Sequence, residues 1–247
     1  MSDARRLFAA ELPRAGGRVV LSEEASRHAR VLRLTQGDAV TLFDGEGWHA
    51  PATVAEAAKR LVCEAEPALE LPDDGSGVEL LLAMPRAGKL DDILRAVTEL
   101  GVRAVHLADC ERSVGGVPPA KLANKLARYG NVVREAARQC ERDRIPTVHP
   151  PRALLDVAAT APEGVGRVVL AARGDQALAA SLPARTWVAV GPEGGFTERE
   201  LDGLVALGYA PARVGQTILR LETAAIAAVA LVADRLREGE GAAQGTR

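Results

Sequence analysis

Cysteine is scarce in this chain. Its three thiols, Cys63, Cys110 and Cys140, lie far apart, form no CxxC pair and have no histidine at metal-ligand spacing. That excludes a zinc site and a disulfide framework. They read as buried thiols, Cys140 included, although an arginine-rich neighbourhood can lower a thiol's pKa. Long apolar runs are lacking too. The longest, Ala224 to Ala233, is bounded by Glu222 and Asp234 and falls well short of the roughly 20 residues a membrane-spanning helix needs. The opening stretch MSDARRLFAAELPRAGG carries charges and prolines where a secretory leader would carry an apolar core, so a cytoplasmic protein is expected. There is no GxxxxGK[ST], no GxGxxG opening a helix after a strand and no GxSxG, which excludes a phosphate-loop ATPase, a dinucleotide fold and a hydrolase elbow. His28, His49, His106 and His149 are scattered, so neither a histidine-led triad nor a zinc deaminase is indicated.

What is present is enough for one large domain, or a small one followed by a medium one: 247 residues, 47% of them hydrophobic. The net charge of -2 conceals an uneven distribution. From Lys121 to Arg152 stand Lys121, Lys125, Arg128, Arg134, Arg138, Arg142, Arg144 and Arg152, against Glu135, Glu141 and Asp143. Near the N-terminus Arg5, Arg6, Arg14, Arg18, Arg27, Arg30 and Arg33 outnumber Asp3, Glu11, Glu23 and Glu24. Two such regions can clamp a phosphate backbone. For either one alone a solvated helix face is the favoured reading.

From Arg18 to about Glu66, short β-like runs alternate with turns: RVVL, DAVTLF, the turn Asp44-Gly45-Glu46-Gly47, WHAPATVAEA and RLVCEAE. One helix interrupts them, opening at Ser22 with Glu23 and Glu24 behind it and running to about Leu34. The pattern predicts a small β-barrel over residues 1–70. Pro67 to Gly77 reads as a linker. Beyond it, over 71–240, strands alternate with helices: VELLLAM (78–84), a helix from about Leu90 to Leu100, VRAVHLA (102–108), a long helix from about Pro119 to Cys140, RVVLAA (167–172), TWVAVG (186–191), and helices over about 197–207 and 222–237. This predicts an α/β domain whose parallel sheet is covered by helices. Residues 241–247 are expected to form a disordered tail.

Ligands of such a sheet bind beyond the carboxyl ends of its strands, and two loops there stand out. The first is GPEGG: Gly191, Pro192, Glu193, Gly194 and Gly195 follow the strand TWVAV and precede a helix opened by Thr197 with Glu200 three residues on, a capping box. Its glycines let a ligand approach bare backbone, whose N–H and C=O groups can read an adenine edge or a ribose. The second is VGQTILRLETA (214–224), where Arg220 and Glu222 sit among Ile218, Leu219, Leu221 and an Ala-rich helix that reads as buried almost all round. Charges in apolar surroundings are expensive unless paired or used. The alternative is an Arg–Glu pair that caps the helix.

With these loops on view, the chain resembles the RsmE-type methyltransferases of the SPOUT superfamily, which methylate N3 of one uridine in bacterial 16S ribosomal RNA. The resemblance rests on HARVLRLTQGDAVTLFDGEG (28–47), TELGVRAVHLADCERSV (98–114), REAARQCERDRIP (134–146), GPEGGFTERE (191–200) and ILRLETA (218–224), in that order. It implies a PUA-like RNA-binding barrel followed by a SPOUT α/β domain with a parallel sheet and a C-terminal trefoil knot. It further implies S-adenosyl-L-methionine as cofactor, ribosomal RNA or the small ribosomal subunit as partner, and a homodimer, with no metal and no membrane. Carried over residue by residue, the cofactor loops comprise Leu170, Ala171 and Ala172, then Gly191 to Gly195, then Val214, Gly215, Ile218, Leu219, Leu221 and Thr223. Ala96 and Val97 stand where the family usually has a lysine, and Thr217 where it has an arginine.

The chemistry expected is attack of a uracil ring nitrogen on a methyl carbon bonded to a positively charged sulfur, in which positioning is most of the task. The N3 proton must leave or the resulting anion be stabilised. Arg220 is the candidate to steady negative charge on a uracil carbonyl, and Glu193 or Glu222 to order the site or take the proton. Candidate phosphate contacts are Arg5, Arg30, Arg33, Arg86, Lys89, Arg112, Arg134, Arg138 and Arg142, around an unpaired or extruded base. Two other readings stay open: a SPOUT enzyme acting on another RNA, and a non-catalytic RNA-binding or ribosome-assembly protein.

Overall fold

The computed structural model describes residues 5–72, 75–86, 88–114, 116–171, 177–179 and 181–244, with side chains as far as 237. Contacts divide the chain into two units. The first ends at Asp74 and takes in Arg134–Ile145; the second holds Gly75–Val133 and everything after Ile145. The sequence reading has one uninterrupted second domain from 71; the contacts return the segment 134–145 to the first unit.

In the first unit β1 (Arg5–Phe8), β2 (Gly17–Val20), α1 (Glu23–Val31), β3 (Ala39–Phe43), β4 (Trp48–Ala57), β5 (Leu61–Ala65) and β6 (Leu69–Glu70) follow one another. The strands form one sheet in the order β1-β3-β4-β5-β2, with β6 paired to β4. Along β4 the residues Ala50, Ala52 and Val54 are buried and their neighbours exposed or half-buried, the period of two that marks a one-sided sheet. They join Leu7, Val19, Leu21, Ala29, Leu42, Leu61 and Cys63 in a single core. Ser22 caps α1, its side chain accepting from Ala25 N at 3.1 Å. The helix ends three residues short of Leu34: Arg33 adopts φ 56°, and Leu34 N reaches back to Ala29 O, a left-handed closure of the last turn.

The segment 134–145 is bound to this sheet by its last residues. Asp143 Oδ1 takes Arg6 Nη2 at 2.7 Å, with the two side chains 8% and 11% exposed. The predicted turn at Asp44–Gly47 forms, Asp44 Oδ1 accepting from Glu46 N and Trp48 N. Gly47 N then donates to Asp143 O, Ile145 N to Gly45 O, and Arg144 Nη1 to Glu46 O.

The second unit bears out the parallel sheet. Its strands are β7 (Val78–Ala83), β8 (Ala104–Asp109), β9 (Thr147–Ala153), β10 (Gly166–Leu170), β11 (Thr186–Val190) and β12 (Ala210–Ala212), in the order β12-β10-β11-β7-β8-β9 with every ladder parallel. The helices are α2 (Leu90–Glu99), α3 (Pro119–Gln139, whose last turns belong to the first unit), α4 (Leu154–Ala158), α5 (Glu198–Ala206) and α6 (Leu221–Gln244). Helix α6 packs on α2, β7 and β11. On the other face α4 and α5 close over Leu81, Ala108, Val169, Trp187 and Ala189. Helix α6 continues to Gln244, past Gly241, where the sequence reading begins a tail; 245–247 lie outside the described residues. Among the described residues no helix is long and apolar enough to cross a membrane.

β9 has no counterpart in the sequence reading. Pro150 and Pro151 interrupt its hydrogen bonding, which the fold accommodates by placing it at the sheet edge with a register shift opposite β8.

Candidate functional site

Strand order reverses between β7 and β11, which lie side by side although one opens the sheet and the other is its second-last strand. Such a switch point is where α/β sheets bind ligands. The carboxyl ends of β12, β10 and β11 are adjacent there, and they carry the three loops singled out in the sequence. The third residue of the β10 loop, Ala172, lies outside the described residues; Ala171 N is tied to Ala212 O at 3.0 Å.

The loop 191–197 follows a strand buried along its whole length. Pro192 is buried, Glu193, Gly194 and Gly195 are exposed, and Gly195 N turns back onto Pro192 O at 2.8 Å. The capping box forms as expected: Glu200 N donates to Thr197 Oγ1 and Thr197 N to Glu200 Oε2. Glu200 is 5% exposed, and its other oxygen accepts from Glu111 N at 2.7 Å. Next to Glu111, Arg112 Nη1 donates to Gly194 O at 3.1 Å and to Phe196 O at 3.4 Å. The sequence placed Arg112 among the RNA contacts and missed this brace.

Gly195 and Gly215 both hold φ above +70°, and a Cβ on either would meet nothing within 4 Å. Each thus presents bare backbone to open space, Gly195 after β11 and Gly215 after β12, the two strands that flank β10. A nucleoside read through main-chain groups requires such a surface. In the loop between β12 and α6, Ile218 is 78% exposed and Leu219 and Val214 are half-buried, and in the first turn of α6 Thr223 is exposed. Leu221 is 2% exposed, its side chain committed to the core, so only its backbone is free to meet a ligand.

One expectation fails here. Arg220 is exposed and Glu222 half-buried, because α6 is not buried all round. Its buried residues, Leu221, Ala225, Ala228, Val229, Val232 and Leu236, form one stripe at helical spacing, and the first charges of the helix fall beside it. The Glu222 carboxyl is held below the usual carboxylate range by its own backbone N–H and by Lys89 Nζ, with further help from Arg220. Lys89, from the turn after β7, stands 3.1 Å away.

The proposed phosphate contacts divide. Arg30, Arg33 and Arg86 are exposed. Arg5 is exposed beside Asp38 at 3.3 Å. Arg134 pairs with Glu24 and lies 4.6 Å over the Phe8 ring, and Arg138 pairs with Glu135. Arg142 departs from the expectation: at 7% exposure it is buried and cannot present its charge to a phosphate. The thiols are held protonated by burial, Cys63 up to about 11 and Cys110 up to about 12; Cys140 is half-buried.

A family model described as an RNA methyltransferase domain matches residues 73–233, and one described as an RNA methyltransferase PUA domain matches 21–64. The ribosomal RNA small subunit methyltransferase E of Synechocystis sp. is 33% identical over 213 residues, which cover 82% of this chain and 68% of that protein. The chain belongs to the ribosomal RNA small subunit methyltransferase E family. A solved methyltransferase E from Neisseria gonorrhoeae, bound to S-adenosyl methionine, is 27% identical, with a TM-score of 0.85 over 92% of this chain and 96% of that one. A methyltransferase of Legionella pneumophila, in complex with the same cofactor, is 26% identical with a TM-score of 0.85, over 93% and 96% of the two chains. Methyltransferase E membership therefore covers both units of the chain.

Proposed function

We propose that this chain methylates N3 of a specific uridine in 16S ribosomal RNA, with S-adenosyl-L-methionine as donor, as a homodimer in the cytoplasm. The observation that carries the reading is the set of three loops at the adjacent carboxyl ends of β12, β10 and β11, open at Gly195 and Gly215. Family membership and the cofactor-bound relatives support the choice of ligand. A trefoil knot in the last part of the chain belongs to the same reading; it is supported by β12 lying beyond β10, not beside β11.

S-adenosylmethionine supplies, when bound, a methyl carbon on a positively charged sulfur. The remaining work falls to the protein. Backbone groups of 191–195 and 214–221, with Leu170 and Ala171, hold the nucleoside, and Ile218 and Leu219 shield it from water. Arg220, exposed at the same edge, steadies the negative charge that develops on a uracil carbonyl. Glu222 is the ordering acid: a carboxylate held low by its own N–H and Lys89 is a weak base. Glu193, exposed on the glycine loop, is the candidate proton acceptor. The exposed cations Arg5, Arg30, Arg33 and Arg86 meet phosphates.

The test is a mass-spectrometric map of modified uridines in small-subunit ribosomal RNA from cells with and without the gene. Loss of one N3-methyluridine, restored by wild type, is expected. An unchanged map with S-adenosylmethionine binding intact moves the substrate to another RNA, and loss of binding as well overturns the enzyme reading.

A further inference from the structure

We propose that Arg112 is a positioning residue of the cofactor loop: its guanidinium clamps the backbone at Gly194 and Phe196 and so sets the affinity for S-adenosylmethionine. The inference rests on the reading of loop 191–195 as the cofactor site. Arg112 Nη1 bridges two carbonyl oxygens, Gly194 O at 3.1 Å and Phe196 O at 3.4 Å. Its stem lies along the same backbone, since a Cβ on Gly194 would stand 3.3 Å from the Arg112 Cβ and 3.4 Å from its Cδ. The residue before it, Glu111, gives its backbone N–H to Glu200, whose carboxylate also takes Thr197 N. Two consecutive residues after β8 thus grip successive parts of one loop. The glycine side fastens 194 and 196, and the helix side fastens 197 and 200.

The loop needs such a grip. Gly194 and Gly195 carry no side chain to pack, and glycine loses more backbone freedom on ordering than any other residue. A ligand that reads main-chain groups must bear that ordering cost itself unless the protein has borne it beforehand. Arg112 suits the task because its charge strengthens both hydrogen bonds, which one nitrogen, Nη1, donates to two acceptors, while its stem lies along the Gly194 backbone. A lysine keeps the charge on a shorter, more flexible stem.

The experiment compares the full chain with Arg112→Ala and Arg112→Lys by calorimetric titration with S-adenosylmethionine, amide hydrogen exchange without ligand, steady-state methylation, and RNA affinity against salt. The Ala variant is expected to bind S-adenosylmethionine about tenfold more weakly, with partial recovery in the Lys variant. KM for the cofactor rises with kcat little changed, amides of 194–198 exchange faster, and the salt slope of RNA binding stays as in wild type. Unchanged cofactor affinity overturns the inference. So does a salt slope shallower by about one with cofactor affinity intact, the mark of a lost phosphate contact. If wild type itself binds no S-adenosylmethionine, the functional reading falls, and amide exchange alone decides whether Arg112 braces the loop.

Discussion

Lys89 Nζ lies 3.1 Å from Glu222 Oε1, joining the turn after β7 to the first turn of α6 across 133 residues of sequence. The pair links the loop that opens α2 to the helix that follows the loop after β12. With the lysine in place the Glu222 carboxyl titrates below its ordinary range. Lys89→Met is expected to move its midpoint upward, part of the way only, because the Glu222 N–H remains. The sign is that of a depressed acid: the pairing favours the folded state above the unfolded carboxylate pKa and is lost as pH falls through the folded value. Carbon-detected NMR of the Glu222 carboxyl measures it, and an unmoved midpoint shows that the pair is not populated in solution.

Arg220→Ala is expected to lower methyl transfer by at least about a hundredfold while melting temperature and S-adenosylmethionine affinity stay near wild type. Its side chain is exposed, so removal opens no cavity. Retained transfer in single-turnover assays removes Arg220 from the chemistry.

Glu79 sits near the amino end of β7, 7% exposed, with His106 Nε2 at 2.8 Å and Arg185 on its other oxygen. Burial pushes its carboxyl upward, and the hydrogen bonds and charges of His106 and Arg185 outweigh burial, leaving it below the usual range. Glu79→Gln is expected to cost about 2 kcal/mol at neutral pH. The loss should shrink as pH falls through the folded pKa, where the wild-type carboxylate itself protonates. Denaturant melts at several pH values test this, and parallel stability curves for the two proteins contradict it.

Asp143→Ala leaves the Arg6 guanidinium, 11% exposed, without its carboxylate and is expected to cost the first unit about 3 kcal/mol. The chain has two tryptophans, Trp48 in the first unit and Trp187 in the second. In a Trp187→Phe background, Trp48 fluorescence reports the first unit, and an unchanged transition there counts against the Arg6–Asp143 pair as an anchor.

Much of the site was legible in the sequence because its signals are local. The capping box at Thr197 and Glu200 needs only four residues to be seen, and the alternation of Ala50, Ala52 and Val54 only five. The fate of the arginines is not local. Arg112, Arg142 and Arg86 look alike in sequence, yet the first holds a loop 82 residues away, the second is buried, and the third is exposed. Charge is written in the sequence; the partner is written in the topology. The supposed burial of Arg220 and Glu222 failed for a related reason: an Ala-rich helix lacks the large polar residues that would have shown which side faces water. The cofactor came from the order of the motifs, since no spacing of residues specifies a sulfonium donor.

The return of 134–145 to the first unit has a consequence for how the chain comes into being. Asp143 and Arg144 complete a turn that was synthesised about a hundred residues earlier, at Asp44–Gly47. At translation rates of roughly 5–20 residues per second, the ribosome needs roughly 4 to 14 seconds to travel from residue 74 to residue 145. Throughout that interval the nascent RNA-binding unit is unfinished, while β7, α2 and β8 emerge beyond it. A fragment cut at residue 74 never leaves that state: Arg6 keeps its charge and loses Asp143.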